Sequence, residues 1–414
     1  MYRLATLVSS NVSRNVADVG RFQPLYPEER VLGPLLELAA ELVTACHRLG
    51  GQAGESVSLA LRPRLRAMNS YYTNKIEGQQ TRPADIERAI RRDFDADATL
   101  AKKQRLAVAH MDVEQQLERK ASALSPRDLF DAQVIREIHS PLFSNLPESD
   151  RHADDGRPIV PGQFRRVDVT AGRHLAPPWK DVAGLVESWA TRYRGLAGTE
   201  ALVVGVTCSH HRLAWIHPFI DGNGRVARLH THLMLHSMGL SHGLWSPMRG
   251  LARTREQYYA KLNNADLPRR NDLDGRGPLS QEELVAFVRY FLDICLDQVR
   301  FMRERLDFET LKERLRSLLS RLQQAPWQIG SERSVIKIEA LEALHYVAMA
   351  GPVERSRFVA MTGLGERTGR RVLATLLDCG LLAADSSRSP VAFALPLASL
   401  GTLFPNLWPE AEVD

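Results

Sequence analysis

The chain has 414 residues, of which 44% are hydrophobic and 25% charged, with a formal net charge of +5. That is the balance of a soluble globular protein long enough for about two or three cored domains, and so small a positive excess permits contact with nucleic acid or an acidic partner without requiring either. No uncharged apolar run approaches the roughly 20 residues of a membrane-spanning helix. The opening segment lacks the apolar core of a secretory signal, and Cys46, Cys208, Cys295 and Cys379 are scattered without disulfide or metal-ligand spacing, so a cytoplasmic protein with no membrane association is expected.

In chain order, Leu35, Leu38, Leu42, Ala45 and Leu49 recur at helical spacing and stop at Gly50-Gly51. Ser125 followed by Pro126 reads as a helix start, and Phe130, Val134, Ile135 and Ile138 supply the apolar face of a helix ending near His139. From about Asp150 to Pro178 the helical period gives way to short β-prone pieces with turn residues, which predicts a hairpin-like flap. Helices resume at Val182–Trp189 and Ala201–Trp215, and after a loop another runs from Val226 to Met238 and closes at Gly239. Asn271–Pro278 is turn chemistry, and Ser280 with Glu283 makes a capping box. A charged helix, Arg303–Arg321, leads to a helix (Ser356–Met361), a turn (Thr362–Gly365), a second helix (Arg367–Leu377) and two short strands.

The expected fold is mostly α: an N-terminal helical region (residues 1–110), a helical core with a short β-hairpin flap (111–300), a helical linker (301–329) and a winged-helix-like unit (330–414).

The chemistry is concentrated in the loop between the two central helices, His217-Pro218-Phe219-Ile220-Asp221-Gly222-Asn223-Gly224-Arg225-Val226-Ala227-Arg228. Gly222 and Gly224 reach backbone angles barred to other residues, so successive N–H groups can face one anion at the positive end of the following helix. Arg225 and Arg228, one turn apart, suit charge-assisted contacts to a polyphosphate. Asp221 is a candidate Mg²⁺ ligand, since that ion takes only one or two protein carboxylates when it bridges phosphates. His217 can accept a proton near neutral pH. Taken singly, His217 reads as a core histidine and Gly222–Gly224 as an ordinary turn; the conjunction carries the reading. His210, His211, His230, His232 and His236 lack an HExxH pattern and read as polar helix histidines rather than a metal site.

These residues match the HPFx(D/E)GNGRxxR signature of the Fic family, and the resemblance extends over roughly Arg21 to Arg300. It implies a helical core that binds ATP with Mg²⁺ and transfers AMP to a hydroxyl of a target protein. By that resemblance His217 is the base and Asp221 the Mg²⁺ ligand. Gly222, Asn223 and Gly224 form the phosphate cradle with the Asn223 amide, and Arg225 and Arg228 contact the β- and γ-phosphates. The similar Doc-type kinases carry lysine where this chain has Gly224, which favours AMP transfer over phosphorylation; other Fic-like proteins use another donor.

Upstream, Thr73-Asn74-Lys75-Ile76-Glu77-Gly78 resembles the (S/T)xxxE(G/N) inhibitory motif of one Fic class. Glu77 paired with Arg228 would occupy the guanidinium that the γ-phosphate needs; in some relatives the same glutamate helps remove AMP. The plain alternative is an exposed charge at a helix end. Val169, Thr170, Ala171 and Gly172 resemble the family's target-docking flap, where an edge strand aligns a target segment by backbone pairing. Tyr258 and Tyr259 read equally as pocket wall or core.

In the C-terminal unit, Arg367, Arg370 and Arg371 with Arg388 at the wing tip make duplex DNA a candidate partner through residues 330–414, against a plain protein-contact or self-association role. The competing reading of the whole chain is therefore a DNA-binding regulator whose core senses nucleotide. The intact His217 favours the enzyme.

Overall fold

The computed structural model describes residues 20–412 apart from 53, 80, 122, 307–308 and 325–334. Residues 1–19, expected to lack a secretory signal, lie outside the described residues, as do the end of the expected linker and the start of the C-terminal unit.

The chain opens with α1 (Glu29–Gln52), α2 (Glu55–Ile76), α3 (Pro83–Ile90) and α4 (Ala98–Ala121). Leu35, Ala39, Leu42, Cys46 and Leu49, three or four apart, are the buried stripe of α1. The helix runs through Gly50 and Gly51 rather than stopping there. Gly50 answers a packing need instead, because a Cβ at that position would lie 2.5 Å from the His242 ring.

The next helix also begins later than the sequence suggested. Ser125 makes no side-chain cap bond and precedes a single 3₁₀ turn, Pro126–Leu129. Asp131 caps α5 (Ala132–Ser144), accepting from the Gln133 N–H at 2.7 Å. α5 then continues past His139 and Pro141.

The flap is a small antiparallel hairpin, β1 (Thr170–Ala171) with β2 (His174–Leu175), in the register Thr170↔Leu175 and Ala171↔His174. Gly172, at φ 60°, makes its turn. α6 (Val182–Arg194), α7 (Thr199–Ile216) and α8 (Asn223–Ser237) follow, then α9 (Met248–Arg253), α10 (Arg255–Asn264) and α11 (Gln281–Arg305). Every residue of α7 from Leu202 to Leu213 is buried, because α1, α6, α8 and α11 all pack around it. Half of the expected capping box forms on α11: Ser280 Oγ accepts from the Glu283 N–H at 3.1 Å. The Ser280 N–H goes to the Leu267 carbonyl, and the Glu283 carboxylate takes Arg270.

The expected helix Arg303–Arg321 is divided between the end of α11 and α12 (Leu311–Gln324). Leu311, Leu315, Leu318 and Leu319 of α12 are buried, and the helix packs on α13 (Leu341–Ala350) and α16 (Leu397–Leu403). Between those two come α14 (Arg355–Met361), α15 (Glu366–Asp378) and the antiparallel pair β3 (Leu382–Ala383) and β4 (Ala392–Phe393); α17 (Pro409–Glu412) follows them.

This C-terminal unit rests on α2. Arg64 donates to the Leu395 carbonyl at 2.7 Å, Tyr72 donates to Glu410 at 2.7 Å, and the Tyr71 and Trp408 rings lie 5.8 Å apart. α2 is thus held between the core and the C-terminal unit. The fold is mostly helical with two small hairpins, as the sequence implied, and among the described residues no helix is long and apolar enough to cross a membrane.

Candidate functional site

The loop between α7 and α8 is fixed atom by atom. His217 ends α7 in the left-handed region, φ 50° and ψ 60°, which costs a non-glycine residue about 1–2 kcal/mol. Its neighbours hold it there. Arg165 donates to the His217 carbonyl at 2.8 Å, and the Arg165 N–H donates to the Pro218 carbonyl at 2.8 Å. The Asn223 side chain takes the Phe219 N–H at 2.8 Å and donates to the Phe219 carbonyl at 2.9 Å. The Asn223 amide thus braces the loop through both its oxygen and its nitrogen.

His139, from α5, closes the back of the loop. Its ring stacks on Phe219 with centroids 3.8 Å apart, Nε2 lies 3.2 Å from the Asp221 carbonyl, and Nδ1 accepts from the Gly162 N–H at 2.9 Å. A carbonyl only accepts and an N–H only donates, so His139 is the neutral Nε2–H tautomer. Burial, the main cause, lowers its pKa to about 3. Gly222 stands at φ 81°, and a Cβ there would lie 2.8 Å from the Phe143 ring.

The first helical bond of α8 runs from Val226 N–H to the Gly222 carbonyl, which leaves the N–H groups of Asn223, Gly224 and Arg225 without helical acceptors at the positive end of the helix dipole. Arg225 and Arg228 are buried, and both are engaged by α2 and the turn that follows it. Arg225 donates to Asn74 at 3.3 Å and to Gln79 at 2.7 Å. Arg228 donates to Thr73 Oγ1 at 2.7 Å and forms an ion pair with Glu77.

The end of α2 is a Schellman turn, with Gly78 N–H to the Lys75 carbonyl and Gln79 N–H to the Asn74 carbonyl. Gly78 takes the left-handed position at φ 75°, and that turn aims Glu77 and Gln79 at the two arginines. The Glu77 carboxylate lies over Gly224, where any Cβ would collide with it. Arg255 and Tyr259 of α10 donate to the Ile76 carbonyl at 2.7 and 3.1 Å, fixing the helix end from the other side. Burial would raise the pKa of Glu77, but the Arg228 and Arg225 charges and the Arg228 hydrogen bond outweigh it and hold the carboxyl below its ordinary range.

His217 Nδ1 lies 3.3 Å from the Ala214 carbonyl, so Nδ1 carries the proton and Nε2 the lone pair. Burial first, then the charges of His174 and Arg165, lower its pKa to about 4; at neutral pH it is an uncharged base. It lines a cavity of about 510 Å³ together with Glu77, Gly224, Arg228, Tyr258, Tyr259 and the flap residues Ala171 to His174, a volume suited to a small-molecule ligand. Asp221, Gly222 and Arg225 stand outside that lining. His174 closes the flap side: its Nδ1 pairs with Asp266 at 3.0 Å and its Nε2 with the Trp215 carbonyl at 2.7 Å. In the flap itself Val169 is buried and Thr170 exposed.

Asp221 Oδ1 accepts the Gly222 N–H at 2.5 Å, which leaves its second oxygen for a cation. One carboxylate oxygen beside the free N–H groups of a helix start fits the donor set that Mg²⁺ takes in nucleotide sites, where the remaining positions go to phosphates and water.

The expected polar-face histidines are in fact mostly internal, with His210, His211, His230 and His232 buried. His210 bonds Thr231 and Tyr258, each at 2.8 Å, so Tyr258 serves as core and as pocket wall at once. His232 meets Glu114 and Glu118 of α4, their ligand atoms within 4.8 Å of one another. The sequence reading missed that group, and also His139 and Arg165, since their partners lie far along the chain or are main-chain atoms.

The central part of the chain is similar to known proteins. Residues 129–235 match the model of the Fic/DOC family. The chain is 30% identical over 137 residues to a protein adenylyltransferase Fic of Drosophila grimshawi, covering 33% of this chain and 27% of that one. It is 30% identical over 149 residues to the corresponding protein of Aedes aegypti, covering 35% and 26%. The match thus spans about a quarter of these relatives' length. A Fic family protein of Desulfovibrio desulfuricans has a similar fold, with a TM-score of 0.50 at 17% identity over 87% of this chain and 96% of that one.

Proposed function

The chain carries a Fic/DOC family domain, and from that premise we propose that it is a protein adenylyltransferase, moving AMP from ATP to a Ser, Thr or Tyr hydroxyl of a target protein under restraint by Glu77. The observation that carries the reading is the neutral His217, its Nε2 lone pair free of the Ala214 contact, in one cavity with Arg228 and the α8 N-terminus. His217 Nε2 takes the proton of the target hydroxyl while its oxygen bonds the α-phosphorus. The bond from that phosphorus to the bridging oxygen of the β-phosphate breaks, and pyrophosphate leaves. An anionic substrate raises the pKa of His217 toward neutrality and so strengthens the base.

The backbone N–H groups at the start of α8 and the Arg228 guanidinium would hold phosphate oxygens, with Arg225 beside them. Asp221 would hold Mg²⁺, which supplies charge neutralisation on the phosphates when bound. Glu77 competes for Arg228, so ATP must displace its carboxylate to reach a γ-phosphate contact. Support for the target lying along the flap comes from the exposed edge at Thr170. Four unpaired cysteines suit a reducing cytoplasm.

The test is transfer of label from ATP marked at the α-phosphate onto lysate proteins. Glu77→Gly should raise labelling about 5- to 150-fold, the usual span of a coupling between two sites. Adding His217→Ala should lower it by roughly 10²–10⁴-fold. ATP binding without label in any variant would point to another donor, to removal of AMP, or to a nucleotide-sensing regulator. The exposed Arg367 and Arg371 of α15 favour that regulator, while residues 330–414 hold two more acidic than basic side chains. Salt-sensitive binding of the whole chain to duplex DNA separates the two.

A further inference from the structure

Arg165 lies in the irregular chain before β1, and its side chain is fully buried. Its guanidinium faces Asp168 only at 3.8 Å. Its hydrogen bonds go to main-chain carbonyls: Pro177 at 2.5 Å, His217 at 2.8 Å, Val167 at 3.0 Å and Ile216 at 3.4 Å. Val167 and Pro177 belong to the two limbs of the flap, one before β1 and one after β2. Ile216 and His217 carry the last carbonyls of α7, which have no helical donor of their own. A positive group also suits the negative end of that helix.

We propose that Arg165 is a positioning residue for the transfer reaction: it fastens both limbs of the flap to the carbonyls beside the His217 side chain, so that the edge receiving the target and the base receiving its proton form one rigid body. This rests on the transferase reading of the site. His217 sits in the left-handed region, uncommon for a residue with a side chain, and the carbonyls of residues 216, 217 and 218 all accept from Arg165. Only a planar fork with five donors reaches carbonyls on three separate segments. A lysine keeps the charge but offers its three donors from one atom.

The test starts from the Glu77→Gly protein, with ATP marked at the α-phosphate and a cell lysate as acceptor. Calorimetric titration with ATP gives the dissociation constant and the fraction of competent sites, and labelling is expressed per competent site. Arg165→Lys should keep the ATP dissociation constant and half-saturating ATP concentration within about twofold, while labelling per site falls on the order of 100-fold, the size of effect that small misplacement of a reacting group produces.

Unchanged labelling per ATP-binding site would overturn the proposal. If Arg165→Lys and Arg165→Gln both lose ATP binding altogether, Arg165 is a structural residue only, and the proposal is likewise overturned. Absence of label from the Glu77→Gly parent is read first, and it refutes the transferase reading itself rather than the role of Arg165.

Discussion

Two polar networks tie α2 to α8, and they differ in one respect: one is sealed and the other opens on a cavity. In the sealed network Arg66 donates to Glu118 at 2.6 Å, Asn69 donates to Glu114 at 2.8 Å, and His232 pairs with Glu118 at 3.0 Å. Glu114 is 1% exposed. In the open network Thr73 and Glu77 face Arg228, and the Glu77 side chain keeps 28% of its surface accessible. Both join a carboxylate to cations from neighbouring helices. A sealed charge that loses its partner has nowhere to turn, so that network stays shut unless the helices separate. On the proposed reading, Glu77 would exchange Arg228 for water, and Arg228 would exchange Glu77 for a phosphate oxygen. The same chemistry thus sets the position of α2 in one place and leaves its tip reversible in the other.

The largest effect should come from breaking the sealed set. Glu118→Ala removes the carboxylate that Arg66 and the buried His232 share, leaving His232 only the 3.6 Å contact to Glu114, and should cost about 3–5 kcal/mol in urea unfolding. Glu77→Ala leaves the buried Arg228 facing the cavity, where water can reach it, and should cost less, about 1–2 kcal/mol, while raising ATP-dependent labelling. Equal costs at the two sites would dissolve the distinction.

The two sealed carboxyls sharpen it further, because they should respond to pH in opposite senses. Burial, the largest influence, raises the pKa of Glu114, whereas His232 and Arg66 overcome burial at Glu118 and lower its pKa. For Glu114 the folded state holds its proton above the ordinary carboxyl range of 4.5. Its contribution to stability is therefore full below that pH and is lost as pH rises toward the folded value. For Glu118 the sign is reversed: its contribution is present above 4.5 and is lost as pH falls through the lowered value. Glu114→Gln should then gain on the wild type by on the order of 2 kcal/mol between pH 4.5 and neutrality, with nearly equal stability below that range. A constant difference between the two proteins across the same pH range would remove Glu114 from this account.

The contrast also explains what could be read from the sequence. The open site was legible because its parts are local: His217 to Arg228 form one loop and one helix start, and Thr73 to Glu77 one helix end. Short-range spacing determines what each can face. The helix–turn–helix and hairpin after residue 350 were legible for the same reason, each element being announced by its own apolar period and turn residues. Arg165 and His139 carried no such signal, since they bond carbonyls and N–H groups that every residue possesses. The sealed network was equally hidden. Its residues come from α2, α4 and α8, and nothing in the Glu114–Glu118 spacing says that His232 will lie against it. The late start of α5 has a local cause in the Asp131 cap, whereas the glycine at position 50 answers to the distant His242 ring.

The smallest expected effect tests which neighbour holds α2 in place. Tyr72→Phe removes the 2.7 Å hydrogen bond to Glu410 of the C-terminal unit but keeps the ring against Tyr71, and should cost about 1 kcal/mol. Tyr72 stands little more than one turn before Glu77 on the same helix. If the sealed network alone fixes that helix, the loss of Glu410 leaves Glu77 over Gly224, and ATP-dependent labelling stays at the wild-type level. If labelling rises with so small a loss of stability, the C-terminal unit also presses α2 toward the start of α8. The restraint on Arg228 would then depend on a contact made on the opposite side of the helix.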